Sequence, residues 1–165
     1  MNSKLIRFLP EKDLPSYRFV PGVNPHPKKT GGHMEHEEEP MAEKVDLLMP
    51  QKNESLRYAL DLFNHGYFWE SHVYFEALWN AHGRIDDVAI FSQAMIKLGA
   101  AGVKLAINQD EAATGHLERA QELFVQLQTA HGTNFLGFSL NTILEQIKLS
   151  LEGELKLFPV YPLWD

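Results

Sequence analysis

The chain lacks cysteine altogether and is poor in basic residues. With no cysteine among 165 residues, disulfide bridges, a cysteine nucleophile and thiolate metal sites are excluded. Lysine and arginine number 15 against 22 acidic residues, which gives a formal net charge of −7. A nucleic-acid partner is therefore not expected, because phosphate neutralisation needs clustered basic residues. The hydrophobic content of 44% is too high for a wholly disordered chain.

Long apolar runs are also missing. No stretch reaches the roughly 20 consecutive apolar residues that span a bilayer. Arg7 and Pro10 interrupt a short apolar patch at the start, so this patch lacks the roughly 7–15-residue apolar core of a secretory signal. We therefore expect a cytoplasmic protein without a membrane partner.

Proline is absent from the middle of the chain. Seven of the nine prolines lie in residues 1–50, the other two are Pro159 and Pro162, and residues 51–158 contain none. Because proline lacks an amide N–H and clashes with the preceding helical turn, this distribution predicts a helical domain. We divide the chain into a proline-rich arm (1–50), a helical domain (51–158) and a short tail (159–165).

Apolar residues recur with helical spacing through the proline-free block. They predict helices over about 53–64, 68–82, 87–108, 111–130 and 141–151. No segment shows sustained strand-like alternation, so no strand is predicted. Gly66 and Asn108 precede the second and fourth helices, and both residue types tolerate the positive φ of a tight turn. The predicted fold is all-α, an irregular array of about four to five helices built from two antiparallel helical hairpins.

Three parts of the arm carry separate expectations. Residues 17–27 alternate proline with apolar residues and are expected to lie along the helical domain as a strap. Residues 30–39 are polar and contain two glycines, which indicates a mobile segment. Residues 42–49 lie between two prolines and are expected to form two helical turns.

The third predicted helix contains the run Gly99-Ala-Ala-Gly102. Glycine inside a helix costs up to about 1 kcal/mol relative to alanine, so this segment needs a compensating gain. We expect another helix to approach closely here, and a local kink is the alternative.

Five of the histidines carry structural or metal hypotheses. His65, His82 and His131 each precede a glycine at a predicted helix end, where glycine takes the left-handed conformation and the imidazole interacts with the helix dipole. We interpret these three as capping residues. His33 and His36 are candidate metal ligands in the arm, but ordering a mobile segment opposes tight binding. Neither a metal site nor a cofactor is favoured.

His72 is the histidine most relevant to function. It lies one turn before Glu76 on an otherwise apolar predicted helix. Because both side chains would be buried there, each needs a polar partner. The favoured interpretation is therefore a buried His72–Glu76 pair that fixes the packing. The alternative is a pocket in which His72 is an acid–base group or a metal ligand, assisted by Glu70 or Glu76. Gln93 and Lys97 of the third helix are candidates for the facing polar groups.

One run of the sequence resembles a known family signature. The run from Phe63 to Trp79 is similar to that of a small bacterial and archaeal family, domain-of-unknown-function family 309. The residues that carry the resemblance are Phe63, Asn64, Gly66, Phe68, Trp69, Glu70, His72, Glu76 and Trp79. A weaker likeness, including Gln93, extends it over about residues 53–150. The resemblance implies an all-helical fold and no established activity.

Two positions differ from the family pattern. Val73 stands where the family has a glutamate, and Lys97 stands where it has a second glutamine. The loss of a carboxylate weakens the case for a metal site. A Lys97–Glu76 ion pair is the expected replacement for the missing partner.

Two functional hypotheses stay open. The favoured one is a non-catalytic helical module that binds an unknown protein partner or has a structural role. Self-association through Tyr74, Trp79 or the face of Gly99 and Gly102 is one form of it. The other is an uncharacterised hydrolase or metal-assisted enzyme built on His72 and its neighbouring glutamates. The enzyme requires a pocket that reaches His72 with Glu70, Gln93 or Lys97 converging on it, whereas a sealed His72 favours the module.

Overall fold

The computed structural model describes residues 5–164, so residues 1–4 of the predicted arm and residue 165 of the predicted tail lie outside it. The helices are α1 (Glu54–Asn64), α2 (Phe68–Ala81), α3 (Asp87–Ala106), α4 (Asp110–His131) and α5 (Leu140–Glu152). A short 3-10 turn, Pro50–Lys52, precedes α1. The all-α prediction is confirmed, and the predicted helices match the observed ones to within about two residues at each end.

A small hairpin between α4 and α5 escaped the prediction. Strands β1 (Asn134–Phe135) and β2 (Phe138–Ser139) pair antiparallel. The expectation of no strands is therefore wrong for these four residues. Two-residue strands are too short to show alternation, so the sequence pattern has no means of indicating them.

Local chemistry explains where the helices begin and turn. The side chains of Asn53, Asp86 and Ser139 cap α1, α3 and α5 by accepting a backbone N–H of the first turn. Gly66 (φ 84°) and Asn108 (φ 59°) lie in the turns before α2 and α4. Both have the positive φ predicted for them, and the two hairpins, α1–α2 and α3–α4, follow.

The helices pack in sequence order around one main core. Each helix contacts the next along the chain, and α2 against α3 joins the two hairpins. Large side chains with essentially no exposed surface fill the space between the helices, among them Phe63, Phe75, Phe91, Phe124 and Phe138.

Close approach of α2 explains the glycines of α3. A Cβ atom at Gly102 would lie 2.5 Å from ring atoms of Phe68, and one at Gly99 would lie 3.0 Å from the Phe68 carbonyl oxygen. The expected close approach is confirmed. Both glycines are buried against their own chain.

Helix α3 is also long and apolar enough to cross a membrane. This holds by length and composition only, and 56% of the relevant window is buried within the protein. Core helices of globular proteins pass the same test, so α3 is weak evidence for a membrane segment.

The described part of the arm, residues 5–49, packs against the helices without forming one. The prediction of two helical turns over 42–49 is wrong, because this stretch contains no helix and only one short turn. The segment 30–39, expected to be mobile, is held by backbone hydrogen bonds, including Met34 N–H to the Pro27 carbonyl at 2.8 Å. Met34 is also buried, with 5% of its surface exposed.

We predict that Gly102→Ala destabilises the protein by roughly 1–3 kcal/mol, because the added methyl group overlaps the Phe68 ring. Gly115→Ala is the matched control, since a Cβ at this helical glycine meets nothing within 4 Å. Its gain in helix propensity should stabilise the protein by about 0.5–1 kcal/mol. Urea denaturation of both variants measures these changes, and stabilisation by Gly102→Ala would contradict the close contact.

Candidate functional site

The first attachment of the arm is a buried carboxylate on α1. Asp61 has no exposed surface. It accepts hydrogen bonds from the backbone N–H groups of Phe8 (2.6 Å) and Leu9 (2.9 Å) and from Nε of Arg7 (2.9 Å). These three donors satisfy the buried charge and fix the beginning of the arm on α1.

The second attachment is Glu70 on α2, which is 2% exposed. Its Oε2 accepts from the Phe19 backbone N–H at 2.9 Å and lies 2.8 Å from His33 Nε2. The ring of Tyr17 lies against the His33 imidazole, with 4.6 Å between the ring centroids. Two residues 37 positions apart in sequence therefore form a buried histidine–carboxylate pair.

The third attachment is His82 at the end of α2. Its Nε2 accepts the Val45 backbone N–H at 2.9 Å, so Nδ1 carries the proton and donates to Asp86 at 2.8 Å. Burial raises the pKa of Asp86, but hydrogen bonds from the Ala89 amide and His82 outweigh it and hold the pKa below its usual value. His82 is the C-cap residue, as predicted, and it also holds the arm.

A cleft of about 480 Å³ lies between the arm and the first two helices. We call it the arm cleft. Both the arm and the helices contribute polar and apolar side chains. The arm contributes Lys12, Asp13, Leu14, Pro15, Ser16, His33, Met34 and Glu37, and the helices contribute Tyr58, Leu62, Glu70 and Tyr74.

The Glu70 carboxylate is not fully satisfied in the wall of this cleft. Of the buried side-chain polar atoms in residues 5–164, only Glu70 Oε1 and Arg57 Nε have no hydrogen-bond partner. An unmade hydrogen bond at a buried charged group is costly. Glu70 Oε1 is therefore a buried acceptor without a donor.

Tyrosine and lysine side chains form another wall of the arm cleft. The Tyr58 hydroxyl donates to the Asp13 carbonyl at 2.7 Å, and burial, followed by the neighbouring Tyr74, raises the pKa of Tyr58. Lys12 Nζ lies over both tyrosine rings and donates to the Tyr74 hydroxyl at 3.0 Å. The wall thus presents two aromatic faces to a cation.

His72 and Glu76 line a different, smaller cleft. Their side chains are 31% and 44% exposed, with His72 Nε2 3.6 Å from Glu76 Oε2, so the interpretation as a buried packing pair is wrong. The cleft, of about 210 Å³, also contains His26, and Trp69 lies between the two imidazoles with centroid distances of 5.2 Å.

The remaining candidates do not converge on His72. Gln93 and Lys97 line neither of the two clefts, and no ion pair joins Lys97 to Glu76 in the described part of the chain. Burial lowers the pKa of His116, and the positive charges of Lys97 and Lys104 lower it further.

The metal candidates also lie apart. His33 is buried in its pair with Glu70, whereas the side chain of His36 is 90% exposed. Within residues 5–164, no group of three or more histidine and acidic side chains is arranged to hold a metal ion.

The sequence did not predict the pairing of His33 with Glu70 or the roles of Lys12 and Tyr58. Glu70 was a candidate, but as a partner of His72, two residues further along the same helix. One signal was available: a glutamate on an apolar helix requires a partner. The identity of that partner depends on how the arm crosses α2, and no local pattern encodes the crossing.

Residues 56–115 match the model of a family described as a domain of unknown function, DUF309. The match covers 60 of the 165 residues and shows similarity to this family over that segment. No curated protein and no solved structure matches the chain.

The DUF309 match runs from the start of α1 into α4. The four helical residues of the arm cleft, Tyr58, Leu62, Glu70 and Tyr74, lie inside the matched segment, and the arm lies before it. One wall of the cleft therefore belongs to the matched segment, and the other belongs to the arm that precedes it. The resemblance was expected over about residues 53–150, but the match ends at residue 115.

We predict different effects for two glutamates of α2. Glu70→Ala removes the acceptor of Phe19 and His33 and should destabilise the protein by about 1.5–3 kcal/mol. Glu76→Ala, the matched control, removes a half-exposed pair and should cost about 0–1 kcal/mol. Urea denaturation measures both, and trypsin should cleave faster after Lys28 and Lys29 in Glu70→Ala only. Equal losses in the two variants would contradict the attachment.

The raised pKa of Tyr58 predicts an alkaline effect. The folded protein retains the phenol proton more firmly than the unfolded chain. The resulting stabilisation is fully present below about pH 10, the ordinary tyrosine pKa, and is lost as the pH rises above it. Absorbance at alkaline pH should show one tyrosine that ionises only on unfolding, and Tyr58→Phe should remove this late step. Its persistence in the variant would contradict the assignment.

Proposed function

We propose that the protein is a non-catalytic helical binding module that takes a small polar molecule in the arm cleft. The observation that carries this proposal is Glu70 Oε1, which is buried and has no hydrogen-bond partner within residues 5–164. A ligand N–H or O–H group at this position would offset the cost of the unpaired acceptor.

The size and lining of the cleft support a small molecule. Its volume of about 480 Å³ lies within the range of roughly 300–1,000 Å³ of ligand pockets. Leu62 and Met34 supply apolar wall, and His33, Glu70 and Tyr74 supply polar groups. Such a combination of apolar surface and a few polar groups is typical of ligand sites.

This proposal keeps the non-catalytic character favoured by the sequence and replaces the unknown protein partner with a small molecule. The hydrolase hypothesis receives less support. Its combination of His72 with Glu70 is split between two clefts, because Glu70 lines the arm cleft and His72 the smaller one. Its other combination, His72 with Glu76, is a half-exposed surface pair.

Ligand-observed NMR with a library of small polar fragments tests the proposal. The library includes three matched four-carbon compounds: 1,4-diaminobutane, 1,4-butanediol and succinate. We expect at least one compound to bind at millimolar concentration. Ser16→Trp should abolish this binding, because Ser16 is an exposed residue of the cleft wall and an indole there fills the space.

Gln126→Trp is the matched control. Gln126 is exposed on α4 and does not line the arm cleft, so binding should be unchanged in this variant. A library without any binder would contradict the proposal, and so would a binder whose affinity is the same in Ser16→Trp and the wild type.

A further inference from the structure

We infer that the ligand of the arm cleft is a small alkylammonium cation, whose ammonium group takes the position that Lys12 occupies against Tyr58 and Tyr74. This inference rests on the proposed function and names the chemical class of its ligand. Two features carry it: the seating of Lys12 and the excess of carboxylates around the cleft.

The Lys12 ammonium group lies at a corner made by two tyrosines. Its Nζ is 4.3 Å from the Tyr58 ring centroid and 4.8 Å from that of Tyr74. The two rings meet at 80°, with 4.8 Å between their centroids. The corner therefore attracts a cation to two aromatic rings at once, in addition to the hydrogen bond from Nζ to the Tyr74 hydroxyl.

Lys12 holds this position weakly enough to be displaced. The residue is exposed, and its ammonium group forms no ion pair with an acidic side chain in the described residues. A cation–π contact at an exposed site contributes only about 0.5–1 kcal/mol. A ligand cation whose alkyl chain also gains apolar contacts in the cleft competes with it, while Lys12 moves into water.

The charge of the arm cleft favours a cation over an anion. Three carboxylates, those of Asp13, Glu37 and Glu70, line it together with one lysine. Glu37 and Asp13 are in no ion pair among residues 5–164. An anionic ligand would be repelled by these groups, whereas an ammonium group is attracted by them.

Apolar residues in the same cleft account for the alkyl part of the ligand. Leu14, Leu62 and Met34 line the cleft, and the last two are almost fully buried. A short methylene chain against them loses contact with water, which is favourable. The combination of carboxylates, aromatic faces and aliphatic wall thus matches an alkylammonium better than a sugar or a carboxylic acid.

Isothermal titration calorimetry on the full chain tests the class of ligand. The probes are 1,4-diaminobutane, 1,4-butanediol and succinate, which share a four-carbon chain and differ in charge. We expect only the diamine to bind. Lys12→Met should tighten diamine binding about 2- to 5-fold, since it removes the competing cation. Lys148→Met is the matched control, because it removes the same charge from an exposed site on α5.

Glu37→Gln supplies the converse test. Glu37 is exposed, so the variant should fold normally and bind the diamine more weakly than the wild type. Equal diamine affinities in Lys12→Met and Lys148→Met would overturn the role of Lys12. Binding of succinate or butanediol in the cleft without binding of the diamine would overturn the ligand class and leave the proposed function standing. Failure of every fragment in the NMR library would overturn the proposed function itself.

Discussion

Buried polar side chains on the first two helices need hydrogen-bond partners, and the arm supplies them. Asp61, Glu70 and His82 are almost inaccessible to water, and each accepts one or more backbone N–H groups from the arm. The backbone N–H groups of the arm need acceptors in turn, because the proline-rich arm forms no helix or sheet that would pair them. The packing of the N-terminal third of the chain depends on these hydrogen bonds.

The same hydrogen bonds create the arm cleft. Residues 7–9 are fixed on Asp61, whereas Phe19 and His33 are fixed on Glu70. The intervening segment from Lys12 to Ser16 passes over α1 and α2 and forms one side of the cleft. A binding space therefore arises between two attachment points, in the way that loops held by a rigid scaffold commonly form sites.

The faces of helix α2 lie in different surroundings. Glu70 and Glu76 are six positions apart, which places them on different sides of a helix with 3.6 residues per turn. One carboxylate is buried under the arm and the other is half exposed beside His72. A third face receives the glycines of α3, where Gly102 lies against the Phe68 ring. The aromatic-rich composition of α2 reflects these three surroundings rather than a single core.

The amino-acid sequence alone predicts the helices, their turns and the close approach at Gly99 and Gly102. These features depend on spacing, capping and backbone freedom, all of which act over a few residues. It also identified Glu70 as a residue of interest. The pairing of Glu70 with His33 and the partial exposure of His72 become visible only in the folded chain. Both outcomes depend on where a non-helical arm crosses the helices, and that path is set by hydrogen bonds between residues tens of positions apart.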